Sequence, residues 1–144
     1  MTSVGRPWVS RATWAVLGLG AWAVLATAAW LRPDARGFGT HQQLGLPPCA
    51  FQAATHVPSP GCGLTTSFAN MAHLHVLDAF RAHLMGPLLF LLTVCVAVMS
   101  PWAARRALPL SRVLEHPATA TSLVVTLGAG MITFGARLLT AFAG

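Results

Sequence analysis

The feature that most constrains the fold is a run of twenty residues, Ala12–Leu31, that carries no formal charge. A helix rises about 1.5 Å per residue, so this run can cross the roughly 30 Å hydrocarbon core of a bilayer. Arginines flank it on both sides, and Trp14 and Trp30 lie near its ends, where interfacial aromatic residues anchor membrane helices. The run predicts a transmembrane helix.

Two further apolar segments follow, at Leu84–Ala104 and Ala118–Phe142. Only 8% of the chain is charged, whereas ordinary soluble domains are about 25% charged. A soluble chain of this composition would expose apolar surface and aggregate, and a lipid bilayer removes that difficulty. We therefore predict one integral membrane domain over residues 1–144, all-α, with three transmembrane helices at about 12–31, 84–104 and 118–142.

A cleaved signal peptide is the alternative interpretation of the first segment. Ala26-Thr27-Ala28 fits the small-residue pattern of a cleavage site after an apolar stretch. The apolar run continues past this site through Trp30 and Leu31, which favours a retained membrane anchor.

The positive charge of the chain consists of arginine alone, and the sequence contains no Lys or Tyr. Loss of residues with AT-rich codons is typical of a GC-rich genome and suggests a bacterial source. The arginines stand singly beside apolar segments instead of forming a basic patch, so nucleic acid is not the expected partner. They are the residues that orient a membrane protein.

Arginine counts predict the orientation. With three spans, the N-terminus and the 105–116 connection share one side and carry five arginines, and the other side carries four. The side with more arginine is expected to be cytoplasmic. The N-terminus is then cytoplasmic and the long loop, residues 32–83, is extracytoplasmic, in a multi-pass protein of the bacterial inner (cytoplasmic) membrane.

The long loop has two parts. Residues 33–63 are rich in Pro and Gly, which indicates turns. From Leu64 to His83 apolar residues recur three and four positions apart, which predicts one amphipathic helix that is interfacial or re-entrant. The residues between Ser59 and Thr66 should form a structural loop at the start of this helix. In that loop Pro60 and Gly61 set a tight turn, Gly63 supplies backbone freedom, and Thr65 or Thr66 caps the helix.

The loop also carries a sequence motif, Pro60-Gly61-Cys62-Gly63-Leu64-Thr65, preceded by a single cysteine at Cys49 and followed by His73. With these residues the chain resembles an uncharacterised family of small bacterial membrane proteins. The signature of that family is a cysteine, then C-P-G-C-G-x-T-R, a short helix with a histidine, and an apolar span. Ser59 and Thr66 depart from it, replacing a cysteine and the arginine. The resemblance covers about residues 45–100 and implies the architecture without an activity.

Cys49 and Cys62 allow two interpretations. A disulfide between them would close a loop of about 14 residues and stabilise the fold by roughly 3 kcal/mol. A reactive thiol pair usually has C-x-x-C spacing, and Ser59 stands where the additional cysteine would be. The structural disulfide is the preferred prediction, and exchange chemistry remains the alternative.

Metal binding is a further alternative, through the donors His56, Cys62, His73 and His75. These residue types suit zinc, copper or haem. No pair among them has zinc-finger spacing, and His73 and His75 point to different sides of a helix. We therefore predict no cofactor and keep a metal or haem site as the alternative.

The chain offers little for catalysis. Its only acids are Asp34, Asp78 and Glu115, and His75 with Asp78 is best interpreted as a solvated pair. A row of small residues at Ser122, Thr126 and Gly130 would let two helices approach closely. The leading hypothesis is a non-enzymatic accessory subunit of a larger membrane complex, with other membrane proteins as partners. The alternative is a redox or metal-handling membrane protein that uses the Cys/His loop.

Overall fold

The computed structural model describes residues 7–50, 54, 59 and 61–143, and within these ranges every regular element is helical. In chain order the α-helices are α1 (Pro7–Trp30), α2 (Leu64–Ala72), α3 (Val76–Ala82), α4 (Met85–Arg105), α5 (Leu110–Leu114) and α6 (Pro117–Ala143), with a 3-10 helix at Thr40–Leu44. The all-α prediction is confirmed for this part of the chain. Two helices, α1 and α4, are long and apolar enough to cross a membrane.

Helices α1 and α4 form the most extensive helix pair. Gly18 of α1 faces the Ser100 side chain so closely that a Cβ atom at position 18 would overlap it. Beyond the end of α4, the indole N–H of the buried Trp14 donates a hydrogen bond of 2.8 Å to the carbonyl oxygen of Leu108. The earlier residue of α1, Trp14, therefore meets the later residue, Leu108, and Gly18 meets Ser100. The two helices are antiparallel.

A proline inside α4 explains why a serine stands at this crossing. Pro101 has no N–H, so the carbonyl of Ala97 lacks its usual helical donor. The hydroxyl of Ser100 donates to that carbonyl at 3.1 Å. Ser100 therefore repairs the backbone of α4 and also forms the contact with Gly18.

In a water-soluble protein the large apolar side chains are buried, whereas along α1 and α4 many of them are exposed. The buried positions of the α1–α4 pair are mostly small, such as Ala21, Ala28, Ala97 and Ala103. Large apolar side chains point outward instead, namely Val16, Leu19, Trp22, Trp30, Leu91, Val98 and Trp102. Small residues bring the two backbones together and leave the bulky apolar surface for the surroundings.

The segment between α1 and α4, called here the loop unit (residues 31–84), sits at the end where α1 finishes and α4 begins. Helices α2 and α3 pack on each other, and α2 also contacts both α1 and α4. Phe68 of α2 meets Phe90 of α4 edge to face, with ring centroids 5.6 Å apart. Since Phe90 lies five residues after the start of α4, α2 runs alongside the first turns of that helix.

The prediction of one continuous helix over residues 64–83 is wrong, because two helices meet there at a turn. Leu74 adopts a left-handed conformation with φ of 64°, and the N–H of His75 donates to the carbonyl of Asn70 at 2.9 Å. This bond spans five residues and terminates α2 as a Schellman motif. The apolar spacing continues across the turn, so periodicity alone does not reveal the break.

Helix α6 lies against α4 and α5, the only described elements that it contacts. Thr126 is buried, and a Cβ atom at Gly130 would lie 2.8 Å from the Met85 sulfur. Two members of the predicted small-residue row are thus used inside the chain. Large side chains on the remainder of α6 are exposed, including Val124, Leu127, Met131 and Ile132.

Candidate functional site: the cysteine loop and its cavity

The motif around Cys62 forms consecutive turns that lead into α2. The N–H of Cys62 donates to the carbonyl of Ser59 at 2.9 Å, and that of Leu64 donates to Gly61 at 3.1 Å. Cys62 is buried directly before the first turn of α2. Of the predicted tight turn, Gly61 takes part in these bonds, whereas Pro60 lies outside the described residues.

Gly63 has the backbone freedom that was predicted for it. Its φ is +90°, and a Cβ atom there would lie 2.5 Å from the carbonyl oxygen of Ala82 and 2.9 Å from that of Gly37. Both contacts are with backbone atoms, which no side-chain rotation can relieve. Gly63 is therefore the point where the start of α2, the end of α3 and the 33–37 turn converge.

The predicted capping of this helix by Thr65 or Thr66 is wrong. Gly63 occupies the cap position, and no side chain caps the helix. The Thr66 hydroxyl instead pairs with that of Thr40 at 2.8 Å, and both residues are fully buried. The Thr40 hydroxyl also accepts a hydrogen bond of 3.1 Å from the N–H of Asp34. This polar pair ties α2 to the 3-10 helix.

The two loop cysteines converge, but they are not at disulfide distance. The predicted Cys49–Cys62 disulfide is therefore absent from this structure. A hydroxyl links the two sulfurs, since the Cys49 thiol donates to Ser59 Oγ at 3.5 Å and that hydroxyl donates to Cys62 Sγ at 3.4 Å. A bonded pair would bring the sulfurs to about 2.05 Å, whereas here Ser59 connects them by hydrogen bonds.

This thiol–hydroxyl chain borders a cavity of about 270 Å³, called here the cysteine cavity. His41 and Thr65 line it together with Cys49, Ser59 and Cys62. The His41 ring is fixed through Nε2, which lies 3.3 Å from the carbonyl oxygen of Pro47. The cavity is lined by two sulfur atoms, three hydroxyl-bearing residues and an imidazole, a set suited to thiol chemistry.

The alternative metal set is dispersed. Cys62 lies in the cysteine cavity, whereas His73 Nε2 is 3.0 Å from the carbonyl oxygen of Leu31 and His75 lines a different groove. His56 falls outside the described residues. Across residues 7–50, 54, 59 and 61–143, no three His, Cys, Asp or Glu side chains group in a way that could hold a metal ion.

His75 borders a second depression, of about 560 Å³, between the 33–37 turn and α3. Two ion pairs line it: Arg36–Asp34 at 2.7 Å and Arg81–Asp78 at 2.9 Å. Hydrogen bonds from the Arg36 side chain and backbone lower the pKa of Asp34 below its ordinary value. We call this depression the ion-pair groove. It contains the His75–Asp78 cluster noted in the sequence, now with Asp34 and Arg36 added.

Three contributors to these sites were not predicted from the sequence as site residues: His41, Thr40 and Arg36. Thr40 lies 26 residues before Thr66. Arg36 and His41 bond within their own segment, to Asp34 and Pro47, so no local spacing connects these residues with α2 or α3. The only signal is compositional, since His41 and Thr40 are polar residues in a short segment between Gly39 and Gly45. Positive φ at both glycines marks that segment as an ordered turn.

Residues 49–97 match a family described as a protein of unknown function (DUF2752). The match begins at Cys49 and ends within α4, so it includes the cysteine loop, α2, α3 and most of α4. It supports an uncharacterised family for this segment. No curated protein and no solved structure matches the chain.

Proposed function

We propose that this chain is a small, non-enzymatic integral membrane protein that serves as an accessory subunit of a larger membrane complex. It spans the inner membrane of a bacterium three times, through α1, α4 and α6. The N-terminus is cytoplasmic, the loop unit is extracytoplasmic, and α2 re-enters the membrane surface beside the first turns of α4. The observation that carries the subunit proposal is the exposed apolar surface that α6 presents at Val124, Leu127 and Met131.

Membrane location is supported by the exposed large apolar side chains of α1 and α4. In water, outward residues such as Val16, 70% exposed, and Leu19, 72% exposed, would order solvent around a continuous apolar belt. In lipid the same belt is solvated, and helices associate through small residues that allow close approach. The Gly18–Ser100 crossing has this form.

The subunit proposal is supported by α6, which has 27 residues but packs on α4 along a limited stretch. Gly130 lies against Met85, the first residue of α4. Because Gly130 packs against α4, the apolar surface that α6 can offer a partner is the exposed one formed by Val124, Leu127 and Met131. An apolar helix held at one edge is suited to completing its packing against another subunit.

Purification in mild detergent tests the proposal. The wild-type chain is expected to elute as a larger complex of fixed stoichiometry. Val124→Ser on α6 should release it, because that side chain is 69% exposed. Val16→Ser on α1 is the matched control, with 70% exposure, and should leave the complex intact. A monodisperse monomer in the wild type would contradict the proposal.

The orientation has a separate test. Single cysteines introduced at Phe38 in the loop unit and at Leu110 in α5 are labelled in whole cells by a membrane-impermeant thiol reagent. Position 38 should react directly, and position 110 only after the membrane is permeabilised. The reverse pattern would place the loop unit in the cytoplasm.

Thiol exchange is a second candidate function, favoured by the convergence of Cys49 and Cys62 on Ser59 at 3.5 and 3.4 Å. In such a reaction one thiolate attacks a partner disulfide and the second cysteine releases the reduced partner, leaving a Cys49–Cys62 disulfide. Thiol counting before and after incubation with an oxidised dithiol should show loss of two thiols per chain. An unchanged count would leave the loop with a structural role.

A further inference from the structure

The ion-pair groove combines both signs of charge within one depression. The 33–37 turn supplies Asp34 and Arg36, and α3 supplies Asp78 and Arg81. Two carboxylates and two guanidinium groups balance, so the groove has little net charge when His75 is neutral. Such a surface matches a ligand that itself carries a positive and a negative group, and repels an excess of either sign.

The two ion pairs differ in how many of their oxygen atoms and N–H groups remain available to a ligand. Asp34 is occupied by Arg36, which donates from Nε to both carboxylate oxygens and from a terminal nitrogen at 2.7 Å. Asp78 receives a single bond of 2.9 Å from Arg81. One Asp78 oxygen and most Arg81 donors therefore face outward, and the side chains are 57% and 77% exposed.

The apolar side chains of the same segment place this groove beside lipid. Leu74, Leu77 and Phe80 are 84%, 73% and 41% exposed, and they recur every three residues around the charged positions Asp78 and Arg81. An exposed stripe of this kind on a short helix is suited to the boundary between headgroups and acyl chains. The groove then opens at headgroup level, beside the 33–37 turn that follows α1.

We propose that the ion-pair groove binds the headgroup of a zwitterionic phospholipid that bears a primary ammonium group. Arg81 and Arg36 bind the phosphate, and the outward Asp78 oxygen accepts a hydrogen bond from the ammonium. Leu74 and Leu77 contact the acyl chains of the same lipid. This inference rests on the membrane location proposed above, and it is independent of the accessory-subunit proposal.

The groove chemistry distinguishes this lipid from others. A trimethylammonium headgroup has the same net charge but no N–H to donate to Asp78. An anionic headgroup satisfies Arg81 but leaves the outward Asp78 oxygen without a donor and beside a second negative charge. Binding should therefore favour phosphatidylethanolamine over both phosphatidylcholine and phosphatidylglycerol.

The test uses the full-length protein in vesicles, with tryptophan fluorescence quenched by brominated lipids. Trp30 is 71% exposed and lies three residues before Pro33, which lines the groove, so it is kept as the reporter while the exposed Trp8, Trp22 and Trp102 are replaced by Phe. In phosphatidylcholine vesicles, brominated phosphatidylethanolamine should bind at least about fivefold more tightly than brominated phosphatidylcholine or phosphatidylglycerol. Equal quenching by the three lipids, or preference for the anionic one, would overturn the proposal.

Two variants assign any preference to the groove. Arg81→Gln and Asp78→Asn each remove one exposed charge and should reduce the preference at least about threefold. Arg112→Gln, on α5 at the opposite end of the α1–α4 pair, is the matched control and should retain it. A preference unchanged in both groove variants would place the lipid elsewhere and overturn the assignment.

Failure of the membrane proposal is recognised separately. Vesicles carrying the protein are extracted with alkaline carbonate before the quenching experiment. Release of the protein would overturn its integral membrane location, and with it the lipid site. Retention without headgroup preference would overturn the lipid site alone.

Discussion

The α1–α4 pair and the loop unit are held together in different ways. In the helix pair the contact is made by small residues, with Gly18 against Ser100 and alanines along the buried side. The loop unit also buries alanines, but it adds fully buried polar side chains, with Thr40, Thr66, Ser67 and His83 all at 1% exposure or less. Close backbone approach dominates one region, and side-chain hydrogen bonding dominates the other.

The difference follows from the connections each region has to make. The helices satisfy their own backbone groups, so their association requires only shape. The loop unit brings helix ends and turns together, and their backbone carbonyls need donors from side chains. Ser67 donates to the Ala79 carbonyl at 2.7 Å, and His73 lies 3.0 Å from that of Leu31. The loop unit is thus specified by individual polar atoms.

The largest change in the free energy of unfolding is expected at Gly63, where backbone segments of the loop unit approach closely. Gly63→Ala forces a side chain into a φ of +90° and against the Ala82 carbonyl at 2.5 Å. It should lower the free energy of unfolding by about 3 to 5 kcal/mol. Circular dichroism during thermal unfolding in detergent measures this.

Gly61→Ala is the control for that variant, since nothing lies within 4 Å of a Cβ atom there. It should change the free energy of unfolding by less than about 1 kcal/mol. Equal losses at both positions would mean that loss of glycine flexibility, and not the convergence at Gly63, determines the effect.

The helix pair is tested at its crossing point. Gly18→Ala places a methyl group against Ser100 and should reduce the free energy of unfolding by about 1 to 3 kcal/mol. Adding Ser100→Ala should recover part of the loss, because it removes the nearest atom. Gly20→Ala, with nothing within 4 Å, should be neutral or slightly stabilising. Unfolding midpoints of the four proteins decide whether the crossing is as tight as described.

The contribution of buried hydrogen bonds to the stability of the loop unit is tested with the hydroxyl pair of Thr40 and Thr66. Thr40→Val leaves the Thr66 hydroxyl and the Asp34 N–H without their partner and should cost about 1 to 3 kcal/mol. Thr66→Val should cost less, because the Thr40 hydroxyl keeps its bond from Asp34. The double variant should lose less than the sum of the two.

Thr121→Val is the matched control, since that hydroxyl bonds its own helix at an exposed position. Its unfolding free energy should stay within about 0.5 kcal/mol of wild type. Strict additivity of the Thr40 and Thr66 losses would show that the two hydroxyls act independently, against the hydrogen bond described.

The smallest effect concerns the surface of the loop unit. The pKa of Asp34 is lowered, chiefly by hydrogen bonds from Arg36, so folding favours its charged form. This contribution is fully present above the ordinary carboxyl pKa, near about 3.9, and is lost as pH falls through the lower folded value. Asp34→Asn should therefore flatten the pH dependence of the unfolding midpoint below about pH 4. A pH profile identical to wild type would show that the pair contributes nothing to stability.

The sequence determined the helical segments, because each depends on residues close together in the chain. Predicted spans at 12–31, 84–104 and 118–142 correspond to helices Pro7–Trp30, Met85–Arg105 and Pro117–Ala143. Backbone freedom at Gly63 was also predicted, because glycine adopts conformations that a side chain would block. Local spacing and local conformation were sufficient for these features.

Tertiary structure decided which polar atoms meet. Thr66 pairs with Thr40 instead of capping its helix, and Ser59 links Cys49 to Cys62 where a disulfide was predicted. The turn at Leu74 separates α2 from α3, although the apolar pattern runs through it. The Thr40–Thr66 pair depends on contact between distant segments, and the other two depend on single side-chain contacts or one backbone angle. Periodicity carries no information about either, so only the folded chain brings these residues together.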